Sequence, residues 1–186
     1  PDGCTDRPDY FNGLRSRRST AAEIRAVVAL FGDAAERAVA AGLDGIELHS
    51  ANGYLFTQFL SRAINDRPAG DYGGPRIEDR ARFLLEVIEE IQNRPTVGKD
   101  YPLIVKVTGH DRHNAAGLWP RSDGNTIADA VAVAKMVEDR GVHTLHVSTG
   151  NMFPHPLNPA GGMPVEVAKR TYQSLIASGR RTFRNY

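Results

Sequence analysis

Apolar residues recur at helical spacing three times along the chain, and a short apolar run follows each time. Ile24, Val28, Phe31, Ala35 and Ala38 step by four and three, as on one helix face. Thr20 and Glu23 stand at capping-box spacing just ahead of them, and Gly42 is a natural stop. Residues 43–49 then read as a strand, with almost no loop before it. Ile77, Ala81, Leu84, Ile88 and Ile91 repeat the helical pattern, and residues 101–108 predict a second strand. Ile127, Val131, Ala134 and Val137 repeat it again; Gly141 ends that helix, and residues 142–148 predict a third strand. A fourth helix is predicted after Pro164, from near Val165 to about Ser178. Residues 1–19, rich in Pro, Asp, Arg and Gly, read as an irregular lead-in.

Helices alternating with short Val/Ile/Leu-rich strands imply an α/β fold with a parallel sheet. Helix-to-strand connections are short, whereas the strand-to-helix connections, such as 49–76 and 108–125, are long. All the long loops therefore leave the C-terminal ends of strands, the working face of a (β/α)8 barrel. An open doubly wound sheet is the competitor, but no Gly-rich phosphate loop follows a strand. The 42–45 stretch, Gly-Leu-Asp-Gly, precedes its strand and reads as a helix stop plus turn. Three to four βα units of the eight are visible. The expectation is a partial TIM barrel: one segment spanning residues 1–186, without the first and last strands. The initial Pro1 points the same way.

Composition narrows the function classes. The 186 residues carry 23 basic and 22 acidic side chains, a formal charge of +1, so no one-signed field invites nucleic acid or a membrane surface. No apolar run approaches the roughly 18 residues of a spanning helix. No signal-peptide pattern stands at the start. Cys4 is the only cysteine, which excludes an internal disulfide and makes a cytoplasmic location the default; it reads as an inert thiol.

The chemistry concentrates where the first strand ends. His49, Asn52 and Tyr54 lie within six residues. His49 and Asn52 can each aim an N–H at one small acceptor and stabilise charge growing on it. A neutral His suffices if its other ring nitrogen is held by a neighbour. Tyr54 carries a phenolic proton and is a usable general acid near neutrality. The structural alternative is a satisfied His at a strand end beside an Asn-Gly turn. Lys106 sits inside an apolar strand, where a lone ammonium is costly. It either faces a bound anionic group or is neutralised by a carboxylate, with Glu47 the expected partner. His110, Asp111 and His113 invite a metal reading, but the spacing is loose and no metal site is assigned. His146, in the third strand, is expected in the core or lining a pocket. Residues 152–156, Met-Phe-Pro-His-Pro, could wall a substrate pocket or cover the barrel.

One ordered series of residues goes further. Residues 41–55, then Gln58-Phe59-Leu60, Asn65-Asp66-Arg67, Asp71-Tyr72-Gly73-Gly74 and Arg80-Ala81-Arg82-Phe83, closely resemble the old yellow enzyme family of NADH:flavin oxidoreductases. The resemblance is strong over about 20–95 and looser through the strands with Lys106 and with Val147-Ser148-Thr149-Gly150. The Phe153-Pro154-His155-Pro156 stretch and the ending Thr182 to Tyr186 resemble one bacterial branch. The resemblance implies an FMN-containing (β/α)8 barrel in which NAD(P)H reduces the flavin and an activated alkene, typically an α,β-unsaturated carbonyl compound, receives the hydride. It places the substrate-anchoring pair on His49 and Asn52, the proton donor on Tyr54, and Lys106 beside the flavin's N1–C2=O edge, with Lys106 and His49 as the cofactor-binding residues. Many members carry Arg where Lys106 stands; Lys supplies the charge without the planar fork. The implied partner is a small molecule, and a homo-oligomer remains open. A dienoyl thioester is another substrate reading within the fold. The alternative from a different class is a truncated or accessory fragment that does not hold FMN by itself.

Overall fold

The computed structural model describes residues 2–7, 16–111, 124–142 and 144–148. Their order is β1 (Asp2–Gly3), β2 (Arg17–Arg18), α1 (Ala21–Ala40), β3 (Ile46–Ser50), α2 (Leu55–Leu60), α3 (Ile77–Asn93), β4 (Leu103–Thr108), α4 (Ile127–Glu138) and β5 (Thr144–Ser148). The helix predicted after Pro164, and residues 152–156, lie outside the described residues.

Local chemistry sets the boundaries. At α1 the Glu23 N–H donates to Thr20 Oγ1 at 3.2 Å, and the Thr20 N–H donates to Glu23 Oε2 at 2.7 Å. A cap of this kind contributes about 1 kcal/mol. Arg17 bonds both oxygens of Glu23, at 2.9 and 3.0 Å. Helix α4 opens with a second capping box, Thr126 with Asp129. The first sheet strand begins at Ile46, three residues later than the sequence predicts. Leu43 is instead exposed, and its carbonyl accepts from the Tyr101 hydroxyl at 2.6 Å. The lead-in is not wholly irregular: β1 and β2 form a two-residue parallel pair, and Thr5, Arg7 and Arg18 all contact the Asp66 carboxylate.

Strands β3, β4 and β5 form a parallel sheet in that order. Neighbours in sequence are neighbours in space, with no reversal of order. That is consistent with part of a (β/α)8 barrel rather than a doubly wound sheet. Leu48, Leu103, Val105 and Val107 point to one face and are buried. Helix α3 lies between α1 and α4 and buries an apolar stripe from Ile77 to Ile91. Phe31, Phe56, Phe59 and Phe83 meet in one aromatic cluster, with the Phe56 and Phe83 rings stacked at 5.0 Å. Burying each such side chain contributes roughly 1.5–3 kcal/mol. The opposite face carries Glu47, His49, Ile104, Lys106, Thr144 and His146, all half-exposed or exposed. The expectation that Lys106 lies in a strand covered on both faces therefore fails for the described residues: only the helix side is packed. Among those residues, no helix is long and apolar enough to cross a membrane.

Candidate functional site

Strand β3 delivers His49 to its C-terminal end, and the chain then turns sharply. Asn52 and Gly53 both adopt left-handed φ values, 61° and 91°. Asn and Gly are the residues that tolerate this best. The turn places Tyr54 at the N-cap of α2, with its side chain about half exposed at 51 %. The His49 and Tyr54 rings approach to 4.9 Å between centroids.

Asn52 is fixed from two strands. Its backbone N–H donates to Thr108 Oγ1 at 3.3 Å, at the end of β4. The Ser148 hydroxyl, at the end of β5, donates to Asn52 Oδ1 at 3.0 Å. With its oxygen occupied, the side-chain amide presents its N–H groups as donors. The Asn-Gly turn is thus present, and the left-handed Asn is also the one whose amide is oriented, an arrangement compatible with the donor reading. His49 differs from expectation. Its Nδ1 is buried without a hydrogen-bond partner among the described residues, so no neighbour there fixes the ring through that nitrogen.

The bare inner face carries a row of three nitrogen side chains. By strand register His49 pairs with Lys106, and Lys106 with His146. Glu47 does not neutralise Lys106, as the sequence suggested. Its carboxylate lies 3.1 Å from His146 Nδ1 instead. Glu47 is two residues ahead of His49 in register, and the imidazole two strands away reaches back to it. Lys106 has no ion-pair partner among the described residues. His146 is half-exposed on this face rather than in the core, with 50 % of its side chain accessible. An ammonium with no ion-pair partner among the described residues, on a half-exposed face level with His49, fits an anionic or strongly accepting planar ligand such as a flavin.

The other candidates separate. Asp111 turns inward and accepts from the hydroxyl of Ser61 and from the Asn125 N–H, and His113 lies outside the described residues. Among the described residues no cluster of three or more His, Cys, Asp or Glu is placed to hold a metal. Cys4 is fully buried; burial, reinforced by the Asp66 charge, pushes its thiol up to about 12. It remains a neutral thiol at physiological pH, in keeping with an inert role.

Sequence reasoning missed how the long loop after β3 is held. Arg67 and Arg80 are nearly inaccessible. Arg80 donates to the carbonyls of Leu60, Gly74 and Pro75 and to Asn125 Oδ1. Arg67 donates to the carbonyls of Asp71 and Ser19 and pairs with the Asp71 carboxylate at 2.9 Å. Asn65 donates to the carbonyls of Phe59 and Tyr72 at 2.6 and 2.8 Å. The backbones pack so closely that a Cβ on Gly73 would lie 2.4 Å from the Arg67 carbonyl oxygen. These side chains satisfy carbonyls in a stretch without regular structure, and so hold α2 and Tyr54 at the strand end. Arg in a run of Gly, Pro and Asp was the available signal.

Comparisons with known proteins converge. Residues 11–184 match the profile described as "NADH:flavin oxidoreductase / NADH oxidase family". An NADH oxidase of Thermoanaerobacter brockii is 42 % identical over 143 residues, 77 % of this chain and 20 % of that protein. An NADPH dehydrogenase of Clostridium acetobutylicum is 34 % identical over 158 residues, 85 % of this chain and 43 % of that protein. The chain thus spans less than half the length of these curated relatives. A solved complex of 2-naphthoyl-CoA reductase with 2-naphthoyl-CoA matches with a TM-score of 0.71 and 28 % identity, over 94 % of this chain and 25 % of the other.

Proposed function

The chain belongs to the NADH:flavin oxidoreductase / NADH oxidase family, and from that premise we propose that the protein carrying it uses NAD(P)H to reduce an activated C=C bond. The observation that carries this reading is the Ser148–Asn52 hydrogen bond, which occupies the amide oxygen and leaves the amide N–H groups as donors three residues from His49. His49 and Asn52 hold the oxygen of the substrate's activating group and stabilise the negative charge that develops on it. Tyr54, exposed and against the His49 ring, donates its phenolic proton to the α-carbon. Lys106, without an ion-pair partner among the described residues and level with His49, holds a point positive charge on the cofactor side of the site. When bound, FMN supplies the hydride that NAD(P)H has given it. Residues 1–186 form one segment of the barrel, with three to four of its βα units. Strands β3, β4 and β5 line one side of the site, so the 186-residue chain by itself is expected to hold FMN weakly.

Two substrate classes share this chemistry. An α,β-unsaturated ketone or aldehyde is the first. A conjugated acyl thioester is the second, favoured by the likeness to a reductase that binds 2-naphthoyl-CoA. Both put a carbonyl oxygen against His49 and Asn52. The test is anaerobic NAD(P)H oxidation by the intact protein with a cyclic enone and with an enoyl or aryl thioester. Loss of the C=C bond in step with NAD(P)H is expected for one of them. No turnover with either class, in a flavin-loaded protein that NAD(P)H reduces, contradicts the proposal.

A further inference from the structure

Behind the turn that carries His49 and Tyr54, three elements leave polar atoms facing one small cavity. Ser50 closes β3, Thr57 lies in α2, and Asp111 follows β4; their exposures are 1 %, 4 % and 2 %. Ser50 Oγ, Thr57 Oγ1 and Asp111 Oδ1 are each buried without a hydrogen-bond partner among the described residues. All three residues line the same cavity, whose apolar walls include Leu60, Val107 and Val133. It holds ≈ 20 Å³ of space open to the centre of a water-sized sphere. A single water needs roughly 10–15 Å³ on that measure, and buried waters make about three hydrogen bonds.

We infer that this cavity is a hydration site: one internal water bridges Ser50, Thr57 and Asp111. The donor arithmetic closes. The Asp111 carboxylate accepts only, and its other oxygen already accepts from Ser61 and from the Asn125 N–H. The water gives one proton to Asp111 Oδ1 and accepts from both hydroxyls, so each of the three protein groups gains its partner. A calcium or sodium ion does not suit the cavity, because hard cations gather about six or more oxygens, whereas the polar lining here is five side chains, and the oxygens of two of them, Thr108 and Asn125, already accept from Asn52 and Arg80. The water ties the strand end that follows His49 to the helix capped by Tyr54, and both to the end of β4. It is a positioning element beneath the site and stands whether or not the proposed reaction is correct.

The test is a crystal structure of the intact protein at a resolution that shows ordered water, paired with thermal unfolding of Thr57→Val and Ser50→Ala. One spherical peak is expected within roughly 2.6–3.2 Å of all three oxygens. An empty cavity, or a peak with the short distances and higher coordination of a cation, overturns the inference. The variants separate wet from dry by sign. If water is present, each strands it with one partner fewer, and Tm falls by roughly 2–4 °C. If the cavity is dry, each removes an unpaired buried hydroxyl, and an unchanged or higher Tm overturns the inference. Should a variant fail to fold, the wild-type density still decides, and Thr57→Ser, which keeps the hydroxyl, serves as the control.

Discussion

Single residues do more than one task at this site. Asn52 closes a turn with a left-handed backbone and also offers an oriented amide. The sequence makes both readings visible but cannot choose between them, because the partner that orients the amide, Ser148, is 96 positions away. The same distance problem hid the choice of Glu47. Its neighbour in the sheet is β4, yet its carboxylate reaches the imidazole of β5. Short-range placement was legible, as with His49, Asn52 and Tyr54 at a strand end, whereas side-chain pairing across the sheet was not. Ser148→Ala tests the orienting role. Losing one neutral hydrogen bond costs about 1 kcal/mol, so KM for the activated alkene is expected to rise roughly fivefold. Reduction of the flavin by NAD(P)H should be unaffected. An unchanged KM would show that Asn52 is held by something else.

At the scale of elements, periodicity was a good guide to α1, α3 and α4 because each carries an apolar stripe; α1 and α3 bury theirs against a neighbour, whereas α4 buries Val133 and Val137 and leaves Ile127 and Val131 exposed. Helix α2 escaped notice, since a helix of six residues is too short for its period to stand out. Element ends were legible where a cap advertises them, as at Thr20. They were misplaced where packing decides, as at Ile46, which begins the sheet only where its N–H meets the Pro102 carbonyl at 2.9 Å. The capping box of α1 makes a pH prediction. Arg17, and then the Thr20 backbone and hydroxyl, lower the Glu23 carboxyl from 4.5 to about 2. A folded-state value below the unfolded one contributes stability above pH 4.5 that is lost as pH falls towards 2. Gln keeps the box but not the charge. Glu23→Gln is therefore expected to have a lower Tm than wild type at neutral pH, with the gap closing between about pH 4.5 and 2 in thermal scans. A gap independent of pH would contradict the assignment.

Across the whole molecule, the asymmetry of loop lengths foretold which end of the sheet carries the polar side chains, because in parallel βα units the long connections gather at one end. What loop lengths could not convey is that one sheet face is packed by helices while the other, with His49, Lys106 and His146 in one register row, is open. On the helix side, Ile127, Val131, Leu145 and Val147 leave an apolar groove between α4 and β5 exposed. Both features belong to a chain that spans 20 % and 43 % of two curated relatives. The account rests on Tyr54 as the acid and on His49 with Asn52 as the anchors. Stopped-flow kinetics of the intact Tyr54→Phe variant, with the two half-reactions followed separately, test it most directly. Flavin reduction by NAD(P)H should proceed at the wild-type rate. Reoxidation by the activated alkene should slow by roughly 10²–10⁴-fold, the usual contribution of a general acid. Equal slowing of both half-reactions, or of neither, would contradict the account.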